Sequence, residues 1–388
     1  MSTRISFGQI SNRILERLFQ NYGKLEDIQQ QLATGKRIQK ASDNPVSVSQ
    51  SMGLRSEIDQ YSSFQRNIND GLAYLGTMDT TLQTANNLYQ NMRERAIQAS
   101  NDSNSADSRF FIGKEVRGMF DQMVALSNTT FKGEFIFSGT NTQEPPYSMR
   151  SGEAMVKTVP GLLDSPFGGV GVPSPLYDIQ ATDSGYTQGY TTAKYLIPGT
   201  VRADGLTEGT DFTVNYVQGE ITYLTPAAAA AAAAGIRVTF DWLRRSEKDL
   251  DGAQNREIEE GVIARINSTA TEIFGNETQV NAWEAMINLL DGALNNKPGK
   301  IRSAIDDIDT AMHRQLGALS TSASRVLRLE STQIRNDERT IYTTKLQSDV
   351  EDVDFAKAVS DFNMQQAIYD ASLKMGARAL SKSLVDFL

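Results

Sequence analysis

Ten prolines punctuate the chain, and eight of them fall between Pro145 and Pro226. A proline inside a helix removes a hydrogen bond and clashes with the preceding turn. Long helices are therefore permitted in the stretches 46–144 and 299–388, which contain none. The remaining two, Pro45 and Pro298, stand where a helix can begin.

Apolar spacing fills those stretches and the proline-free segment before Pro45. Phe7, Ser11, Ile14, Leu18, Asn21, Leu25, Ile28 and Leu32 step by four and three, the spacing of a coiled-coil seam. The segment "TGKR" follows, with Gly35 as a helix stop. In "ASDNPVS", Ser42, Asp43 or Asn44 can cap a second helix with Pro45 at its first position. That helix runs to about Ser100 and keeps the same spacing from Leu54 to Tyr89. At 1.5 Å per residue it would reach roughly 80 Å. "SNDSNSADS" ends it, and a shorter helix spans about Asp107–Ser127, with Phe111, Val116, Phe120, Val124 and Leu126 to pack.

The other end repeats the pattern. "TQVNAWEAMINLLDGALNN" is helical, and Pro298 opens a helix with a column from Ile301 through Ile308, Gln315 and Ser322 to Leu329. "SDVEDVD" supplies a new cap. The last helix carries Phe355, Val359, Phe362, Gln366, Tyr369, Leu373, Gly376, Leu380, Ser383 and Phe387, again at four and three. Its end, "SLVDFL", is hydrophobic where chain termini usually turn polar.

The middle reads differently. "KGEFIFSGT" predicts a strand or hairpin arm, and "DFTVNYV", "EITYL" and "IRVTFDW" predict short strands among Gly/Pro punctuation. "REIEEGVIARINSTATEIFG" reads as extended. The alanine run 227–234 is too short for a stable isolated helix and predicts a helical turn or a connection. The fold expected is mainly α with an inserted β domain, built on long antiparallel helical rods from both chain ends. Its parts are an N-terminal assembly helix (1–44), half a helical domain with a hairpin (45–142), the β-rich insertion (143–250), the other helical half (251–347) and a C-terminal assembly helix (348–388). The outermost segments are one-sided and are expected to be disordered in the monomer.

Chemistry narrows the function. The chain has no cysteine and one histidine, His313, inside a helical pattern. Thiol nucleophiles, disulfides and Cys/His zinc sites are excluded. No phosphate loop or nucleophile elbow is present. The acidic stretches 306–310 and 348–354 suit a solvated face and a helix start better than a calcium site. No catalytic, cofactor or metal residue is assigned, and no enzymatic activity is expected. A net charge of −9 argues against nucleic acid. No apolar run approaches the roughly 18 residues of a membrane span, and the first residues lack the apolar block of a cleavable signal peptide.

Both ends resemble the flagellin superfamily. "RISFGQISNRILERLFQNYGKLEDIQQQLATGKRIQKASDNP" is similar to its N-terminal signature, and "NINDGLAYLGTMDTTLQTANNLYQNMRERAIQASN" to the segment that follows. "DVDFAKAVSDFNMQQAIYDASLKMGARALSKSLVDFL" resembles its C-terminal segment. Within the superfamily, "ASDNPVSVSQSM" and "FKGEFIFSGTNTQEPPY" resemble the hook-associated proteins of the hook–filament junction more than filament flagellins. The resemblance implies terminal segments that form inner coiled coils of a tube, with outer domains radiating from it. It implies export through the flagellar type III system, often with a chaperone. The implied partners are further copies in a ring, a neighbouring hook-associated protein and flagellin, at the bacterial flagellum outside the cell.

On that reading, the apolar seams are the assembly interface. The candidates are Ile14, Leu18, Leu25, Ile28 and Leu32 at one end. At the other they are Phe355, Val359, Phe362, Tyr369, Leu373, Leu380 and Phe387. "SLVDFL" is then buried by neighbouring subunits. Two alternatives stand beside the junction adaptor: a filament flagellin, and a secreted enzyme or adhesin acting through its central β domain.

Overall fold

The computed structural model describes residues 7–38, 40, 44–156, 177–178, 180–181, 191–192, 194–225, 227–228, 230–231, 236–246, 250–276 and 280–385. The chain divides into two compact units, Met1–Arg66 with Gln333–Leu388, and Asn67–Thr332. The sequence put helical boundaries near 44 and 347. The compact units part at 66/67 and 332/333, within two long helices, α2 (Pro45–Ser100) and α6 (Pro298–Glu351).

The first unit joins the two chain ends. Helix α1 (Phe7–Thr34) and helix α7 (Phe355–Val385) pack side by side. Gly35, at φ +70°, adopts the left-handed conformation that ends α1, and its amide donates to Gln31 O at 2.8 Å. Asn44 is the residue that caps α2: its side chain accepts from Ser47 N at 3.1 Å, with Pro45 next in the first helical position. Asp354 caps α7, accepting from Lys357 N at 3.1 Å. Where α2 and α6 lie in this unit, most buried positions are polar. Asn336 Nδ2 donates to Tyr61 O at 2.9 Å and to Gln65 Oε1 at 3.0 Å, and Ser51 and Thr343 are also buried. The terminal segments expected to be disordered alone are helical over these ranges, because each offers the other a matching column.

The second unit has an apolar core. Helix α3 (Ala106–Ser127) packs on α5 (Ala282–Leu294). Column residues Ile301, Ile308 and Leu329 of α6 are buried as their spacing predicts. On α3, Val116, Phe120 and Val124 are buried, but Phe111 is exposed, and Ile112 and Met123 take the core positions. A short helix α4 (Ala270–Phe274) stands where the sequence read extended chain. Its signal was present: Thr269 and Glu272 form a reciprocal capping box.

The strands are antiparallel. β1 (Thr130–Phe131) and β2 (Glu134–Phe135) form a hairpin across Lys132 and Gly133, both at positive φ. The predicted arm "KGEFIFSGT" is thus the turn and second strand, after which Ile136 and Phe137 enter the core. β3 (Tyr147–Val156), which the sequence did not reveal, pairs with β10 (Ile236–Arg245) over ten residues, and β10 also pairs with β7 (Arg202–Ala203). β8 (Phe212–Asn215), β9 (Glu220–Tyr223) and β4 (Tyr177–Asp178) make a second sheet. β5 (Gln180–Ala181) pairs with β6 (Thr191–Thr192), and β11 (Asn255–Glu259) with β12 (Val262–Arg265). In the alanine run, Ala227, Ala228, Ala230 and Ala231 are helical, and Ala228 is fully buried.

The β-rich stretch is bound into the helical core of its unit. Tyr147, at the start of β3, lies 4.7 Å from the fully buried Trp283 of α5, which stacks on Phe274 at 5.1 Å. Arg245 donates to Thr271 Oγ1 at 3.0 Å, and Asn281 to the Tyr195 hydroxyl at 3.1 Å.

Candidate assembly surface

The α1–α7 pair places most of the sequence-assigned residues. Its order is antiparallel: Gly376 faces Ile14 and Leu18, Tyr369 lies against Tyr22 with ring centroids 5.9 Å apart, and Asn21 Nδ2 donates to Ser372 Oγ at 3.0 Å. Gln365 donates to Asn21 O at 3.2 Å. Along α1, Ile14, Leu18, Leu25, Ile28 and Leu32 are half-buried, as one column should be. The side chains of Phe7 and Ser11 lie outside the described residues.

On α7 the column facing α1 shares Phe362, Tyr369 and Gly376 with the seam read from the sequence. Ala358, Phe362, Gln365, Tyr369, Ser372 and Gly376 step by four and three and are buried or half-buried. Of the assigned residues, Phe362 and Tyr369 belong to this column. Phe355, Val359 and Leu373 stand beside it and are exposed, Phe355 at 59%. Leu380 lies on α7, but its side chain and all of Phe387 fall outside the described residues. The small members decide the geometry. A Cβ added at Gly376 would stand 3.3 Å from Ile14 Cγ2, so glycine lets the two backbones approach.

A second outward column was missed. Met364, Ile368, Ala371 and Met375 also step by four, three and four, and all are exposed, Met375 at 73%. On α1, Leu15, Phe19 and Tyr22 are exposed likewise. Helix α7 therefore presents apolar side chains on three columns, one of which α1 covers. A helix that is apolar on most sides is normally enclosed. A search for one stripe of large residues overlooks both the small facing column and the third.

The turns beside these helices meet on one carboxylate. Glu351, whose side chain is 4% exposed, receives Arg55 Nε and Nη2 at 2.9 Å each, Lys36 Nζ at 3.1 Å, Gln347 Nε2 at 3.1 Å and the Ser51 hydroxyl. The Arg55 fork holds the Glu351 carboxyl well below the usual carboxylate range, against the opposing effect of burial. Lys36 also pairs with Asp352 at 2.7 Å and lowers that carboxyl. Of the acids in "SDVEDVD", Glu351 and Asp352 serve internal pairing and Asp354 capping. Among the described residues no group of three or more His, Cys, Asp or Glu could hold a metal ion, and no helix is long and apolar enough to cross a membrane. His313 is an exposed residue of α6.

Two family models match this architecture at both ends. The bacterial flagellin N-terminal helical region matches residues 5–142, and the bacterial flagellin C-terminal helical region matches residues 299–388, together more than half of the chain. The chain belongs to the flagellin family. It is similar to flagellar hook-associated protein 3 of Escherichia coli, 30% identical over 125 residues, which is 32% of this chain and 39% of that protein. It is also similar to B-type flagellin of Pseudomonas aeruginosa, 34% identical over 112 residues, 29% of this chain and 23% of that protein. The matches thus span about two fifths or less of these relatives' own length. A solved chain described as a flagellar hook-associated protein of Vibrio parahaemolyticus shares the fold, with a TM-score of 0.53 and 15% identity. That match covers 80% of this chain and all of the other.

Proposed function

We propose that this chain is a structural subunit of the bacterial flagellum that joins hook to filament at their junction. The observation that carries the reading is the α1–α7 pair, which leaves apolar columns of both helices in water. One-sided seams of this kind are satisfied when copies stack in a ring. The exposed residues Phe355, Val359 and Leu373, with Leu380 and Phe387 further along the same stripe, are the contacts assigned to neighbouring subunits. Ile14, Leu18, Leu25, Ile28, Leu32, Phe362 and Tyr369 hold the pair together. The role is structural, without catalysis. Export through the flagellar type III system, a covering chaperone before assembly, and contact with a neighbouring hook-associated protein and with flagellin complete the reading.

The likeness to hook-associated protein 3 supports the junction over the filament, although B-type flagellin matches over a similar length. Deleting the gene separates the two. Loss of a junction subunit leaves hooks without filaments and flagellin shed into the medium. Hooks that keep their junction proteins but shed no flagellin would instead identify a filament subunit.

A further inference from the structure

Two turns flank the terminal helix pair, one at the end of α1 and one at the start of α7. Residues 35–37 leave α1, and residues 352–354 lead from α6 into α7. The turns are laced to each other by main-chain bonds: Arg37 N donates to Glu351 O at 2.7 Å, and Val353 N to Gly35 O at 3.0 Å. Arg37 Nη2 adds a bond to Val350 O at 2.8 Å. These bonds join the turns to each other and to the end of α6. The Glu351 carboxylate supplies the remaining tie, since its donors come from the turn after α1 (Lys36), from α2 (Ser51 and Arg55) and from α6 (Gln347).

We infer that Glu351 is a positioning residue that makes this joint stiff, fixing the direction of the α1–α7 pair on the α2–α6 pair. The physical reason is that the donors act together. A rotation of the terminal pair that moves Lys36 away from the carboxylate also strains the Arg55 fork, whose two bonds have one planar geometry. A carboxylate this buried is costly to leave partly paired, so intermediate angles are disfavoured. If the assembly role holds, the joint passes a bend or twist of the anchored helices to the rest of the subunit instead of absorbing it. The stiffness itself is independent of that role.

The test is a distance measurement on the full chain. With no native cysteine, single cysteines at two exposed positions, Ser56 on α2 and Asn363 on α7, take spin labels without background. Pulsed dipolar spectroscopy should give one narrow distance distribution for the native joint. Glu351→Gln, which keeps the shape and removes the charge, should broaden it about twofold. Arg55→Gln should do the same, and Glu351→Asp should fall between. Arg95→Gln, which removes the α2–α3 ion pair to Glu115 within the Asn67–Thr332 unit, should change nothing. Equal widths in the native chain and both Gln variants would overturn the inference, as would a broad distribution in the native chain. A thermal melt of each variant shows that the Asn67–Thr332 unit stays folded. Bare hooks in the deletion strain report on the junction reading separately, so the two ideas fail by different measurements.

Discussion

The Asn67–Thr332 unit and the unit made from the two chain ends use the same kind of long helix, yet they bury opposite things. In the former, Trp283, Tyr89, Phe120, Phe137 and Phe274 are almost wholly enclosed. Among the described residues of the latter, the buried apolar side chains are Phe64 and Ala358, while Ser51, Asn336, Thr343, Glu351 and Gln365 are buried polar ones. Many of its large apolar residues face outward, Phe19 at 73% exposure and Ile341 at 71%. The difference teaches that one unit carries its own hydrophobic driving force, whereas the other combines half-buried apolar columns with specific polar bonds. The second arrangement is ordered but weakly driven, which suits a surface meant to be covered later.

The sharpest way to break this comparison is inside the enclosed core. Trp283→Ala should cost about 3–5 kcal/mol and lower the melting temperature of the whole chain by many degrees. A small effect, measured by calorimetry, would mean that the aromatic cluster is not what holds Asn67–Thr332 together. Next in size is Gly376→Leu, which forces a side chain against Ile14 and should cost roughly 1–3 kcal/mol. Hydrogen exchange should then speed up in α1 and α7 while the amides of α5 stay protected. Exchange that rises equally in both units would erase the distinction between them.

Acid is a milder probe. The Glu351 carboxyl is depressed from its ordinary value of 4.5 by Arg55, with Ser51, Gln347 and Lys36 contributing, so its proton binds more weakly in the folded state than in the unfolded one. A depressed carboxyl stabilises the fold fully above the unfolded value and loses that contribution as pH falls through the native one. The difference in unfolding temperature between the native chain and Glu351→Gln should therefore be constant from neutral pH to about 5, and close only in stronger acid. A difference that already closes near pH 6 would contradict the pairing at this site. The smallest effect on the isolated chain belongs to Leu373→Asp. The side chain is 42% exposed, so stability should change by under about 0.5 kcal/mol. Complementation of a deletion strain should nevertheless fail, because assembly would take that charge out of water. A lowered melt would place Leu373 in the subunit's own packing.

The helices were legible because their signals are local. Proline-free stretches, Asn44 before Pro45, Gly35 and Asp354 mark the ends of α1, α2 and α7, and the α6 column from Ile301 to Leu329 needed only its spacing. What the sequence hid depends on contacts far apart along the chain. Strand β3 is defined by its pairing to β10, some eighty residues away, and its own residues "YSMRSGEAMV" carry little alternation. The surface was half legible for a different reason. On α7, several columns meet the four-three rule, and only the partner helix tells which is covered; the choice fell on the largest side chains, whereas Ala358, Ser372 and Gly376 allow the approach. Glu351 gave no signal, since a carboxylate in "SDVEDVD" reads as an acid at a helix start until Arg55 and Lys36 are brought to it.

The uncovered columns of α1 and α7 also set a limit on the amount of this chain that water can hold. Side chains such as Phe19, Phe355 and Met375 behave as adhesive patches on a small colloid, and attraction between patches grows with the number of particles per volume. Such a solution has a saturation concentration, above which association begins at any available seed. A growing structure that displays the same columns at its tip is the most effective seed, since an arriving subunit covers several at once. On the assembly reading, dilution or a partner that covers the columns keeps the chain single until it reaches that tip.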